Sequence, residues 1–190
     1  MDRRVVITGL GAITPIGNNV CELWDGIKEG KCGIDDITLF DTSNSKVKIA
    51  AEVKNFNPEE HFDRRNVKRL DRFSHFAIVA AREAMKDSGL DVEKIDKTRF
   101  GVAISSGIGG LKTIEDNNET LNEKAPDRVS PMFIPMATIN MATGNVSIEM
   151  GAQGESFSMV TACATGTHTI GECYRIIKHG YQDVMLVRRN

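Results

Sequence analysis

No apolar run in the 190 residues approaches the roughly 18 that a membrane-crossing helix needs. The opening "MDRRVVITGLG" has neither the long apolar segment nor the small-residue cleavage site of a secretory leader. Both absences predict a cytoplasmic location. The four cysteines, Cys21, Cys32, Cys163 and Cys173, form no CxxC pair and adjoin no histidine pair, which argues against a zinc site and against a disulfide framework. No metal is expected. There is no short-period repeat and no low-complexity tract, so solenoids are excluded. With 24 basic and 26 acidic residues the net charge is −2, which gives a general nucleic-acid binder no electrostatic footing.

What is present is an alternation of strand-like and helix-like segments. "RRVVITG" (3–9), "VKIAAEV" (47–53), "RFGVAIS" (99–105), "SFSMVTA" (156–162) and "DVMLV" (183–187) read as strands. Val20, Leu23, Trp24 and Ile27 recur at helical spacing between an Asn cap and Gly30. Phe73, Phe76, Ala77, Ala80, Ala81 and Ala84 make one apolar face of a helix that Gly89 closes. Further helices are expected over 111–124, 134–151 and 165–179. The pattern predicts an α/β protein whose largely parallel sheet is covered on both faces, with an excursion around 31–70.

Two glycine-rich segments invite a phosphate-binding reading. "GLGAIT" lacks the third glycine of a dinucleotide loop, carrying Thr14 and Pro15 instead, and "SGIGG" (106–110) lacks the Lys-Ser/Thr ending of a P-loop. Tight turning or close backbone approach accounts for both better, and no cofactor is expected. Ile108 is then the one apolar side chain that "SGIGG" projects, as a wall or gate.

Cys163 and Cys173 divide on context. Ile170, Cys173, Tyr174 and Ile177 fall at i, i+3, i+4 and i+7, which places Cys173 in a buried stripe. Cys163 precedes that periodicity, follows a strand, and has Ala162, Ala164 and Gly166 around it, leaving room for a substrate carbonyl. Free N–H groups at a helix start stabilise both a thiolate and an oxyanion. The dipole contributes about 0.3–2 kcal/mol, only part of what activates a nucleophile. The four histidines, His61, His75, His168 and His179, read as structural or solvated.

Taken together, "RRVVITGLGAITPIGN", "FDTS", "LDRFSHFAIVAAREAMKDSGL", "GVAISSGIGGL", "SPMFIPMATINMATGNVSIEMGAQG" and "VTACATGTHTIGECYRIIKHG" resemble the β-ketoacyl-acyl-carrier-protein synthases, most of all the type II long-chain members. The resemblance spans nearly the whole chain. It implies a thiolase-like fold, of which residues 1–190 match the amino-terminal βαβαβ half, and a decarboxylative condensation in which Cys163 carries the acyl chain as a thioester. It also implies that Ile108 borders the acyl channel and that Phe133 reaches across a homodimer interface. Arg64, Arg65, Lys68 and Arg69 become the docking site for an acidic acyl carrier protein.

The family's catalytic histidine pair and lysine belong to its second half, which these residues do not match. Condensation by these residues alone is therefore not expected, and a non-catalytic role in dimer or carrier-protein association stands as the alternative. A coenzyme A-dependent thiolase is disfavoured by "SGIGG" and "SPMFIP". Arg188 and Arg189 in the last strand are expected to be costly if buried.

Overall fold

Six consecutive uncharged residues, Phe-Gly-Val-Ala-Ile-Ser, build the strand around which the structure is organised. The computed structural model describes residues 3–189, and side chains through 188. Strand β3 (Phe100–Ser105) is buried along its whole length and has a neighbour on each side: β4 (Ser156–Phe157) and β5 (Val184–Arg189). The order is β4-β3-β5 and both pairings are parallel. Double burial explains the unbroken apolar sequence, since a parallel strand covered on both faces has no polar side to show.

Strand periodicity assigns the two faces. Phe100, Val102, Ile104 and Leu186 enter a core with Phe73, Ala77, Ile78 and Ala81 of α3 (Arg72–Ser88) and with Ala142 and Val146 of α6 (Met141–Met150). The opposite face of β3, made of Gly101, Ala103 and Ser105, is small, and α7 (Thr165–Lys178) packs there. This is the expected α/β layering, helices on both sides of a parallel sheet.

The remaining elements are α1 (Val20–Lys28), a two-residue ribbon pairing β1 (Asp35–Asp36) antiparallel with β2 (Ile49–Ala50), α2 (Arg64–Arg69), α4 (Leu111–Glu123) and α5 (Phe133–Ala137). The predicted Asn cap of α1 is Asn19, whose side chain accepts from Glu22 N–H. Asp71 caps α3 by accepting from Phe73 N–H at 3.2 Å. No described helix is long and apolar enough to cross a membrane.

Several sequence expectations are corrected. Residues 3–9 form no strand. Gly9 and Gly11 lie against the α3 backbone, where a Cβ would strike the carbonyl oxygens of Ala84 and Ala80, and the segment is tied to α3 by side chains. Leu10 N–H donates to Asp87 at 2.8 Å and Ala12 N–H to Glu83 at 2.9 Å. An apolar cavity of about 450 Å³, lined by Val5, Ile7, Ile170, Tyr174 and Val187 among others, separates this stretch from β5 and α7. The glycines of "GLGAIT" thus serve close approach to a helix.

The strand predicted over 47–53 shrinks to Ile49–Ala50, and that over 156–162 to Ser156–Phe157. The helix predicted over 134–151 is two: Thr138 leaves the helical region at ψ 139°, and its hydroxyl donates back to the Ile134 carbonyl at 2.9 Å. The apolar stripe of α1 is only partly covered: Val20 and Leu23 are half-buried, and Trp24 and Ile27 are exposed.

Arg188 enters β5 half-buried. Its guanidinium donates to the Phe76 carbonyl, and burial pushes its pKa down to about 10, so it keeps its charge at neutral pH. The Arg189 side chain and Asn190 lie outside the described residues, as do Met1 and Asp2.

Candidate active site

Parallel strands all end at one edge of a sheet, and segments leaving that edge are where α/β folds place ligands. The loop 106–110 follows β3 there, and residues 158–164 follow β4. Cys163 is the centre of a 3₁₀ turn, Ala162–Ala164, that runs straight into α7. Cys163 is six residues past the end of β4, so it does not follow a strand directly as its sequence context suggested.

Ala162, immediately before it, has φ 48°, a left-handed conformation that a residue with a Cβ seldom takes. Such strain next to an exposed thiol gives the turn the geometry of a nucleophile elbow. The N-cap of α7, Ala164, makes no side-chain cap, so no side chain engages the helix start in the way Asp71 engages that of α3. Those N–H groups can receive negative charge developing on a carbonyl oxygen beside Cys163.

Cys173 is the opposite case. It is 2% exposed, and burial pushes its thiol up to about 12, which leaves it an inert packing residue at neutral pH. Its stripe differs from the predicted one. Ile170 and Tyr174 are 60% and 49% exposed, and the buried positions of α7 are Thr165, Thr169 and Cys173, at i, i+4 and i+8. Hydropathy could not rank two threonines above an isoleucine. The available signal was their spacing in line with Cys173, opposite the small face of β3.

Ile108 is 60% exposed at the tip of the loop after β3. Gly110 N–H donates to the Ala137 carbonyl at 3.0 Å, and Gly109, at φ 85°, packs against the same residue, which joins the loop to the end of α5. Phe133, half-buried, opens α5. The structure therefore brings the Ile108 and Phe133 segments together. Beneath them Asp71 accepts a hydrogen bond from the Thr113 hydroxyl, and the carboxylate lies against Gly110. Sequence reasoning did not single out Asp71, although an Asp before an apolar helix is a cap signal.

Arg64, Arg65, Lys68 and Arg69 are all exposed on α2, and none enters an ion pair with another described residue. The chain passes from α2 through Leu70 to Asp71, so the basic helix abuts the same end of the molecule. Of the histidines, His61 is exposed and stacks on Phe56 at 5.2 Å, and His179 caps the C-terminus of α7. His75 is buried against Phe62, and burial lowers its pKa, with the Asn66 carbonyl and Asp71 opposing. His168 Nδ1 lies 3.4 Å from the Thr161 hydroxyl. No cluster of three ligating side chains suited to a metal occurs among the described residues.

Comparison with known proteins shows the family. The 3-oxoacyl-[acyl-carrier-protein] synthase 2 of Staphylococcus aureus (strain COL) is 51% identical over 185 residues, covering 97% of this chain and 45% of the relative. The protein of the same name from Synechocystis sp. is 45% identical over 184 residues, covering 97% of this chain and 44% of its own length. The chain thus spans a little under half the length of these curated relatives. Among solved structures, the ishigamide ketosynthase/chain length factor superposes with a TM-score of 0.90 at 27% identity, over 100% of this chain and 47% of that one. A ketosynthase complex with a type II polyketide acyl-carrier protein, bound to the hexaketide, matches at TM-score 0.80 and 25% identity, over 97% and 50%. A family model described as the beta-ketoacyl synthase N-terminal domain matches residues 2–188. With its elbow cysteine, its layered parallel sheet and that match, the chain belongs to the beta-ketoacyl synthase family, of which it forms the N-terminal domain.

Proposed function

We propose that the protein acts as a β-ketoacyl-acyl-carrier-protein synthase in the cytoplasm, with Cys163 as the acylated nucleophile. The observation that carries this reading is the placement of Cys163: exposed, behind a strained residue, at the uncapped start of α7 and at the C-terminal edge of a parallel sheet. The thiolate attacks the acyl carbonyl carbon, and the carrier's thiol leaves with a proton. Malonyl-carrier protein then loses carbon dioxide. Its carbanion attacks the Cys163 thioester, forming a carbon–carbon bond, breaking the carbon–sulfur bond and returning the thiolate. The product is two carbons longer. Helix-start N–H groups at α7 stabilise the oxyanion in both transfers.

The exposed cations Arg64, Arg65, Lys68 and Arg69 suit an acidic carrier protein, and Ile108 with Phe133 suits an apolar acyl chain. Exposure of Ile134 beside Phe133 fits a homodimer contact at α5. His61, His75 and His179 are each engaged away from the elbow, and the one histidine beside it, His168, lies against the Thr161 hydroxyl. The family's catalytic histidine pair belongs to its second half, so loading of Cys163, without condensation, is expected of these residues by themselves.

The test is acyl transfer from acyl-loaded carrier protein, followed by intact mass and peptide mapping. A hydroxylamine-labile acyl group on Cys163, lost in Cys163→Ala, is the expected result. Alanine at all four α2 cations should raise the half-saturating carrier concentration, more so at low salt. Equal labelling of Cys21 and Cys32, or loading unchanged in Cys163→Ala, would sink the reading. The alternative, a purely associative role in dimer or carrier-protein contact, would use the exposed Ile134 and the α2 cations, and it predicts no acyl adduct at all.

A further inference from the structure

Between the end of β4 and the start of α7 the backbone is held by side-chain hydroxyls in place of a sheet ladder. Ser158 Oγ donates to the Ile104 carbonyl at 2.7 Å. Met159 N–H donates to Ser105 Oγ at 3.0 Å, and Thr161 N–H to Thr165 Oγ1 at 2.9 Å. Ser105 Oγ and Thr169 Oγ1 are 2.8 Å apart, and Thr169 Oγ1 donates to the Thr165 carbonyl at 2.7 Å.

A hydroxyl has one proton, which fixes the direction of each bond. The proton of Thr169 goes to Thr165, so Thr169 accepts from Ser105, and Ser105 accepts from Met159. Ser105, Thr165 and Thr169 are all 0% exposed, so water does not compete for these bonds. The chain of hydroxyls therefore pins both sides of the turn, at Met159 and Thr161 before it and at Thr165 after it. Between those points sits Ala162 at φ 48°. A residue with a Cβ keeps such a conformation only where its surroundings over-determine it.

We propose that the hydrogen bonds running from Met159 N–H through the Ser105 and Thr169 hydroxyls to the Thr165 carbonyl hold Ala162 in its strained conformation and so aim the Cys163 sulfur, making Ser105 and Thr169 positioning residues for acyl transfer. The inference rests on the reading of Cys163 as the acylated nucleophile. It also explains the small face of β3: Gly101, Ala103 and Ser105 let α7 come close enough for one hydroxyl to bridge sheet and helix.

Thr169→Val keeps the shape and removes the hydroxyl, Thr169→Ser keeps the hydroxyl and removes the methyl, and Ser105→Ala removes one oxygen. Transfer onto Cys163 from acyl-loaded carrier protein is measured as a maximal rate and a half-saturating concentration, beside the thermal unfolding midpoint. A misaimed nucleophile should lower the maximal rate of Thr169→Val and Ser105→Ala about tenfold or more, with little change in half-saturation. Thr169→Ser should restore most of the rate. The double variant Ser105→Ala/Thr169→Val should be slowed by less than the product of the two single losses, because the changes share the Ser105–Thr169 bond.

A folded Thr169→Val that loads at the unsubstituted rate overturns the inference, as does a Thr169→Ser equally impaired. If Thr169→Val does not fold, Ser105→Ala decides, since full-rate loading by that variant is equally fatal. Cys163→Ala separates the two levels of argument. Loss of loading in Cys163→Ala with full loading in Ser105→Ala and Thr169→Val removes only the positioning role, whereas loading that survives Cys163→Ala removes the reading beneath it.

Discussion

A Cβ at positive φ crowds the following carbonyl oxygen, and among the described residues two with side chains accept that crowding: Asn55, at φ 55°, and Ala162. Asparagine tolerates the conformation, and alanine beside a nucleophile does not take it without support. Branching at the β-carbon would make the conformation a severe outlier. Ala162→Val is therefore expected to flatten the turn and lower the rate of acyl loading on Cys163 about tenfold or more, while Ala162→Gly keeps a rate close to that of the unsubstituted protein. Comparable loading by the two variants would show that the strain is incidental. At this scale the sequence separated the two cysteines: small neighbours mark Cys163, which is exposed, and helical spacing marks Cys173, which is buried. It was silent about Ser105, Thr165 and Thr169, because a buried threonine carries the same letter as an exposed one and only a partner across the sheet distinguishes them.

Among the elements, α3 does the most to organise the chain around it. Glu83 on this helix accepts from Ala12 N–H at 2.9 Å with one oxygen and from Val20 N–H at 2.8 Å with the other, which fixes the entry to α1. Asp87 does the same for Leu10. These carboxylates supply the acceptors that a neighbouring strand would have given residues 3–12. Hydrogen bonds to charged groups contribute about 1.5–3 kcal/mol, so Glu83→Ala should destabilise the protein by roughly that amount in urea unfolding, and Glu83→Gln, which keeps one carbonyl acceptor, by less. An unchanged midpoint in Glu83→Ala would contradict this account of the amino-terminal segment. Element reading succeeded where local chemistry dominates, as at β3, at the Asn19 cap and over α3. It failed where long-range contact decides: residues 3–9 have a strand's composition but no ladder partner, and the apolar spacing of α1 and of Ile170–Tyr174 gave a helix without saying which face is covered.

For the whole molecule, His75 couples stability to pH. Burial holds its pKa below the ordinary histidine value near 6.5, and Arg72 adds to the effect, while the Asn66 carbonyl and Asp71 oppose it. Between the folded pKa and about 6.5 the unfolded chain binds the extra proton, so stability is full above about 6.5 and declines as pH falls through that window. His75→Phe should remove this part of the slope when urea midpoints at pH 7.5, 6.5 and 5.5 are compared. An identical slope in the variant would place the dependence elsewhere. The Asn66 carbonyl belongs to α2, so the same ring links the basic helix to the core.

The sequence by itself determined the α/β class, the central strand and the distinction between Cys163 and Cys173, because period, capping and neighbour size are local and act within a few residues. The tertiary structure alone decided which face each helix buries, how residues 3–12 are tied to α3, and which hydroxyls hold the Cys163 turn. Each of those depends on a partner tens of residues away. Ser105 and Thr169 are 64 positions apart in the chain and 2.8 Å apart in space, a proximity that only the packing of α7 on β3 creates.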